Sequence, residues 1–423
     1  MKNFVAAAGV AAIAGMASAG AAYSADLGVL TSLDVCSDLG LVGLAISSET
    51  NCLQISGEIE YSFTWGDYDT DREVVDDLAY AGSYDIFIGD GRQDWESTVE
   101  TLLTFSATAP SDFGAARGVI TLEGTDEVVV EDRILDDETH EIVLDEAYLS
   151  IGDRTVLTVG LADTIANTAH DTAFTFQEMF NEDEASGVGF NSDKTDTDID
   201  TAGHVIQVSH DLENGFKVSA ALEDLDDRGI LVGVIEYGDD TVDAHVTMLA
   251  DEILAGTLED WAVHSGVTLS LDNLRIRGAG AFNNDGWWNV LGTGEVELDF
   301  FTLAVAGEAT SSREYGFAGS VAAKLSDSVL LNVGSRAFVE ADGQLTVDTA
   351  MEAEFEASEA ITLVAGGGYV YESDATVGLT YGVLALEWNP AKDFEAEMSG
   401  RVHSRPGREL GYELNLTATR SFD

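Results

Sequence analysis

Phe394-Glu395-Ala396-Glu397-Met398-Ser399-Gly400-Arg401-Val402-His403 alternates without a break. Phe394, Ala396, Met398, Gly400 and Val402 are apolar or small; Glu395, Glu397, Ser399, Arg401 and His403 are polar. A period of two is that of a β-strand, whose successive side chains point to opposite faces. About ten tilted residues at strand rise cross the hydrocarbon of a bilayer. If the two faces are lipid and lumen, the protein is a pore.

The same pattern extends along the chain. Residues 53–63 place Leu53, Ile55, Gly57, Ile59, Tyr61 and Phe63 on one face, and Val99, Thr101, Leu103 and Phe105 carry the next strand. A return strand at 117–122 follows a turn at Pro110-Ser111-Asp112, and 142–151 pairs with 156–161 through Gly152-Asp153-Arg154-Thr155. Further hairpins are read at 205–212 with 216–222, 230–237 with 242–249, and 263–271 with 274–282. They continue at 290–298 with 301–309, 317–325 with 329–339, 347–355 with 361–371, and 377–388 with 394–402 through Asn389-Pro390. Residues 410–422 close the chain. The hairpin count is about twenty strands, within a range of about 16–20, and closure by pairing of the end strands requires an even number. The fold class is all-β, a transmembrane antiparallel β-barrel.

Connections alternate in length. Tight ones at 152–155, 213–215, 239–240, 272–273, 326–328 and 389–393 are hairpin turns, and a long set includes 66–94, 125–139 and 163–202. Insertion of a barrel from one side of a membrane produces this segregation, and a soluble sandwich or β-solenoid has no reason for it. No fixed repeat supports a solenoid. Aromatic residues near strand ends (Tyr61, Phe63 and Trp65; Trp287 and Trp288; Tyr369 and Tyr371) suit the two headgroup levels.

Residues 1–25 read as a signal peptide: Lys2, a short apolar core from Phe4 to Met16, and cleavage between positions 19 and 25, after Ala19 or Ala25. No run of eighteen apolar residues follows, which excludes a helical membrane protein. The two cysteines, Cys36 and Cys52, lie in the segment 26–52. In an oxidising compartment they form one disulfide, contributing about 3 kcal/mol by loop entropy. Residues 53–423 form the barrel.

The chain carries 19 basic and 78 acidic residues, a net charge of −59. Such a chain repels nucleic acid. A saline habitat and a cation-attracting lumen each account for the excess. Asp67-x-Asp69-x-Asp71 and Asp196-x-Asp198-x-Asp200 could hold Ca²⁺ but lack the glycine and distal glutamate of an EF-hand, so they read as solvated acidic loops. No other cofactor or metal is indicated, no His-x-x-x-His pair occurs, and no catalytic motif appears, so an enzyme is not expected.

Asp34-Val35-Cys36 and Asn51-Cys52-Leu53-Gln54-Ile55-Ser56-Gly57 together resemble the start of mature general-diffusion outer-membrane porins of alphaproteobacteria. Glu141-Ile142-Val143-Leu144-Asp145-Glu146-Ala147-Tyr148-Leu149-Ser150-Ile151-Gly152 is similar to the strand preceding their constriction loop, and 157–163 to the segment entering it. The segment 412–422, ending in Phe422, resembles the signal read by the barrel-insertion machinery, although Asp423 follows here. The resemblance implies sixteen strands, a homotrimer contacting membrane lipid and lipopolysaccharide, and passive diffusion of small hydrophilic solutes across the outer membrane.

It also implies that the loop 163–202 folds inward. Phe174, Phe176, Met179 and Phe180 would then pack on the wall, with Glu178, Glu182, Asp183 and Glu184 near the water path. Wall basic residues on lumen parity are Arg275, Arg277, Arg336 and Arg401, with Lys217; Arg420 falls on the apolar parity. Each arginine could instead neutralise a neighbouring carboxylate. With so few cations against dozens of acids, the lumen should prefer cations. The alternatives are a substrate-specific channel and a structural or adhesive Ca²⁺-binding envelope barrel.

Overall fold

The computed structural model describes residues 35–36, 39–41, 43–48, 50–68, 91–131, 134–170, 172–177, 179, 201–256, 260–373 and 378–422. The signal-peptide expectation and residues 178, 180, 182, 183 and 184 lie outside this set.

A three-residue stub, β1 (Ala45–Ser47), precedes four long strands of 16 to 19 residues: β2 (Cys52–Asp67), β3 (Asp94–Ser111), β4 (Gly114–Glu131) and β5 (Ile134–Gly152). Five short strands of 7 to 9 residues follow: β6 (Thr155–Leu161), β7 (His204–Asp211), β8 (Phe216–Glu223), β9 (Ile230–Gly238) and β10 (Val242–Ala250). The remainder are 10 to 14 residues long. They are β11 (Trp261–Leu271), β12 (Leu274–Asn283), β13 (Trp288–Glu297), β14 (Phe301–Thr310), β15 (Tyr315–Ser326) and β16 (Val329–Val339). Then come β17 (Leu345–Ser358), β18 (Ile361–Glu372), β19 (Leu379–Ala391), β20 (Phe394–Ser404) and β21 (Gly411–Phe422).

From β2 onward every strand pairs antiparallel with the next, and β21 returns to β2 through the register Gly57↔Phe422 to Asp67↔Tyr412. The result is a closed barrel of 20 strands, with β1 added on the seam side of β2. Twenty corrects the sixteen implied by the porin resemblance and agrees with the hairpin count. The Cys36–Cys52 disulfide ties the N-terminal segment to the first residue of β2.

Burial sorts the two faces as the alternation requires, in the sense opposite to a soluble protein. Leu384 is 67% exposed and its neighbour Val383 only 7%. On β20, Met398 and Val402 face out while Ser399 and His403 are buried. An apolar exterior running around the wall is a membrane-facing surface. No helix among the described residues is long and apolar enough to cross a membrane, so the strands do the crossing.

Two connections differ from the sequence reading. The expected long loop at 125–139 is instead the outer part of the β4–β5 hairpin, paired from Glu127↔Thr139 to Glu131↔Ile134. A strand of 18 residues is roughly 60 Å long and rises about 45 Å when tilted, well beyond an apolar band about 25 Å tall. Beyond that band both faces meet water, so alternation fades while the β-branched run Val128-Val129-Val130 keeps pairing. Of the expected connection 389–393, only residues 392–393 form the turn. Asn389 and Pro390 form a bulge between the pairs Trp388↔Ala396 and Ala391↔Phe394, where the missing proline N–H costs no ladder bond.

Candidate functional site

The chain leaving β6 at Leu161 does not continue the wall. Its described residues from Ala162 to Met179 contact buried or half-buried side chains of the strands from β7 to β15. At its start Glu223, fully buried on β8, accepts the Ile165 amide at 2.9 Å through one oxygen and the Ala202 amide at 3.0 Å through the other. One carboxylate therefore holds both ends of the connection. Gln207 on β7 donates to the Asp163 carbonyl at 2.6 Å and to Glu223 at 3.2 Å.

Further along, the Asn167 amide donates to Thr247 Oγ1 (3.1 Å), and its side chain donates to Glu236 (2.7 Å). Ile165 and Ala166 pack on Val232, Val234, Leu249 and Ala262. The Phe174 and Phe176 amides donate to Thr293 and Ser320 at 3.1 and 2.9 Å. Met179 is buried among Ala279, Leu291 and Ala306. A buried backbone amide needs a partner, and wall hydroxyls on β10, β13 and β15 supply one.

A stack of three histidines joins this segment to the wall. His170 Nδ1 meets His245 Nδ1 at 3.0 Å, and His245 Nε2 meets His264 Nδ1 at 2.8 Å. The rings are stacked at centroid separations of 5.1 and 4.9 Å. Gly266, facing His245 across β10–β11, makes room: a Cβ there would lie 2.6 Å from that of His170. Burial lowers the pKa of His170, with Asp243 opposing and Arg277 adding to the shift. No His-x-x-x-His spacing announces this arrangement. Inner-face parity of His245 and His264 on adjacent strands, beside a glycine, was the available sign.

The basic residues singled out from sequence are engaged with partners. Arg275 bonds Glu295 at 2.7 Å and Arg277 donates to Thr268 at 3.0 Å and Thr172 Oγ1 at 2.7 Å; both guanidinium groups lie over the Phe174 ring, at 4.3 and 4.6 Å. Arg336 pairs with Asp348 at 3.6 Å, both buried, and Arg401 with Glu413 at 3.8 Å. Lys217 pairs with Glu236 at 2.9 Å. Arg420 donates to the Lys392 carbonyl at a turn (2.8 Å).

The carboxylates dominate the other half of the wall. On β2, β3 and β4, Glu58, Glu60, Glu96, Glu100, Glu123 and Glu127 share the inner parity, and so do Glu352, Glu354, Glu387 and Glu397 on β17, β19 and β20. Two cross-strand pairs set carboxylate directly against carboxylate, Glu60↔Glu100 and Glu387↔Glu397. Such pairs destabilise a sheet. Among the described residues no cluster of His, Cys, Asp or Glu is arranged to hold a metal ion. Of the two aspartate trios only Asp67 is described, and it accepts the Gly91 amide at 3.1 and 3.2 Å.

The barrel has a solved counterpart. It is similar to Pseudomonas aeruginosa OccK7 (OpdD), with a TM-score of 0.51 and 8% identity over 88% of this chain and 98% of that one. Pseudomonas aeruginosa OpdO gives a TM-score of 0.49 at 8% identity, covering 88% and 97%. An anion-selective porin from Comamonas acidovorans gives 0.37 at 8% identity, covering 88% and 100%. No protein-family model and no curated protein matches the chain. At these identities the likeness is one of fold.

Proposed function

We propose that the protein is an outer-membrane channel of the porin kind, through which small hydrophilic solutes and ions diffuse with a preference for cations. The observation that carries this reading is the carboxylate belt of the inner wall, with Glu60 against Glu100 and Glu387 against Glu397. Opposed carboxylates weaken the sheet, and their retention on one face fits a role in the aqueous path. Four wall cations, Arg275, Arg336, Arg401 and Lys217, each already face a carboxylate and so do not offset the belt.

Permeation needs no covalent step and no cofactor: a cation exchanges part of its water for carboxylate oxygens and moves on. The connection 163–202 is the constriction, with Glu178, Glu182, Asp183 and Glu184 bordering the path. The chain is exported by its signal peptide and inserted through its last strand, and it assembles as a trimer in contact with lipid and lipopolysaccharide. The motifs at Cys36, Cys52 and Phe422 support an alphaproteobacterial porin. In planar bilayers under a salt gradient the reversal potential should carry the sign of cation selectivity; anion selectivity would refute the reading. A second reading, a substrate-specific channel, is favoured by the contacts of Asn167, Phe174 and Phe176 with Thr247, Thr293 and Ser320 of the wall. It predicts saturable current block by one class of solute.

A further inference from the structure

The strand β5 has a neighbour on both sides only at one end. Its pairing with β6 covers Gly152 to Ala147 and stops there, whereas its pairing with β4 continues to Ile134. The place β6 would occupy next is vacated because the chain turns inward: the Ala162 amide bonds the Gly203 carbonyl, and that of Ile165 reaches Glu223. Among the described residues, no strand pairs with the second edge of β5 from His140 to Glu146. A second observation agrees. Residues 140–145 are all exposed, on both faces of the strand, with Ile142 80% and Leu144 50% accessible.

An open edge presents a row of backbone donors and acceptors, and it templates another strand unless it is blocked. This one carries no proline and no lysine, and its one irregularity is a bulge at Asp145, near the Glu146 end. It bears Glu138, Glu141, Asp145 and Glu146, with His140 lying between Asp126 (3.2 Å) and Glu138 (2.9 Å). A second copy docking its own edge here would bring these carboxylates against their equivalents, in a chain of net charge −59.

We propose that the β5 edge from His140 to Glu146 is a docking site for an extended, cationic segment of another polypeptide. The segment adds as a strand, in line with β6 and beyond its Leu161 end. Main-chain bonds to the edge give affinity, and alternate side chains give specificity. Its apolar side chains cover Ile142 and Leu144, and its lysines or arginines meet Glu141 and Asp145. The proposal requires the barrel but not conduction, so it stands apart from the reading of the pore.

The test uses the full mature chain refolded in detergent, with a Lys-Val alternating peptide as probe and a Glu-Val peptide as control. Hydrogen–deuterium exchange should show alternate amides within 140–146 exchanging fast in the protein alone and slowly with the Lys-Val peptide, and no change with the control. The double variant E141K/D145K should bind the probe at least about tenfold more weakly, and added salt should weaken wild-type binding. Slow exchange of all these amides without peptide would overturn the proposal, because the chain itself or a second copy would already cover the edge. Binding that is insensitive to salt, or that protects other amides, would overturn it as well. The salt titration on wild-type protein stands independently of whether the double variant folds.

Discussion

Gly266→Ala is the sharpest probe of how the inner segment is held. The added Cβ would lie 2.6 Å from the His170 Cβ, 2.8 Å from His245 Cε1 and 2.9 Å from the Ala169 carbonyl oxygen. Two of those atoms belong to the segment, and carbon contacts relax only near 3.5–4.0 Å, so the segment must retreat by about 1 Å. That retreat breaks the 3.0 Å bond between His170 and His245. The lost bond costs about 1 kcal/mol and crowding about 1–3 kcal/mol more. A total of roughly 2–4 kcal/mol raises the undocked population by roughly 30- to 700-fold. The penalty falls on docking, because the strand ladder around Gly266 is unchanged. Expected results are faster proteolytic cleavage within 163–202 and noisier single-channel current, with the heat-modifiable gel shift of the barrel retained. Acid should act in the same direction. His170 has a lowered pKa when docked, so docking keeps its full stability above the ordinary value of 6.5 and loses it as pH falls below that value. Gly266→Ala channels with wild-type noise, cleavage rate and pH response would refute this account.

Other expectations are simpler. Glu60→Gln removes one opposed carboxylate pair; it should lower cation selectivity in reversal-potential measurements while leaving the barrel as stable or slightly more so, by about 0.2–1 kcal/mol. Leu384→Arg places a charge on the lipid face and should destabilise the barrel in refolding titrations, by up to about 4 kcal/mol. Arg336→Met leaves Asp348 buried and unpaired, costing about 3–5 kcal/mol, and the double change Arg336→Met with Asp348→Leu should recover most of it in thermal unfolding. Reducing the Cys36–Cys52 disulfide should lower stability by about 2–4 kcal/mol without changing conductance.

The barrel was readable because each wall strand carries its own statement of orientation. Strict alternation in 394–403, a turn, and alternation again in the next segment fix both the faces and the count of strands. Where that constraint lapses, reading failed. Residues 125–139 rise beyond the apolar band, so Val128 to Val130 pair without alternating. Pro390 marked a turn by its usual preference, yet a bulge one step earlier absorbs it. The interior was less legible. The parity of Arg275, Arg336 and Arg401 placed them on the inner face, but parity does not name a partner across the ladder. Glu295, Asp348 and Glu413 become visible only once register is known. The histidine stack needs still more, since His170 reaches His245 across a sequence separation of 75. No local pattern encodes such a meeting.

The short strand β1 has a bearing on assembly. It occupies the edge of β2 at Cys52 to Gln54, the Ile55 amide is taken by the Leu44 carbonyl, and β21 occupies the same edge from Gly57 onward. In the closed barrel the final strand therefore ends where β1 begins. Sliding Phe422 two residues toward Ile55 would evict Leu44 and Ala45 from their bonds. Sliding the other way would leave Gly57 and Glu58 open. A register error at the closing seam would flip or offset every residue pair that follows, so a fixed stop beside the seam makes one alignment the only comfortable one. Held within the loop that the Cys36–Cys52 disulfide closes, β1 bounds the register of the seam on the edge that β21 shares.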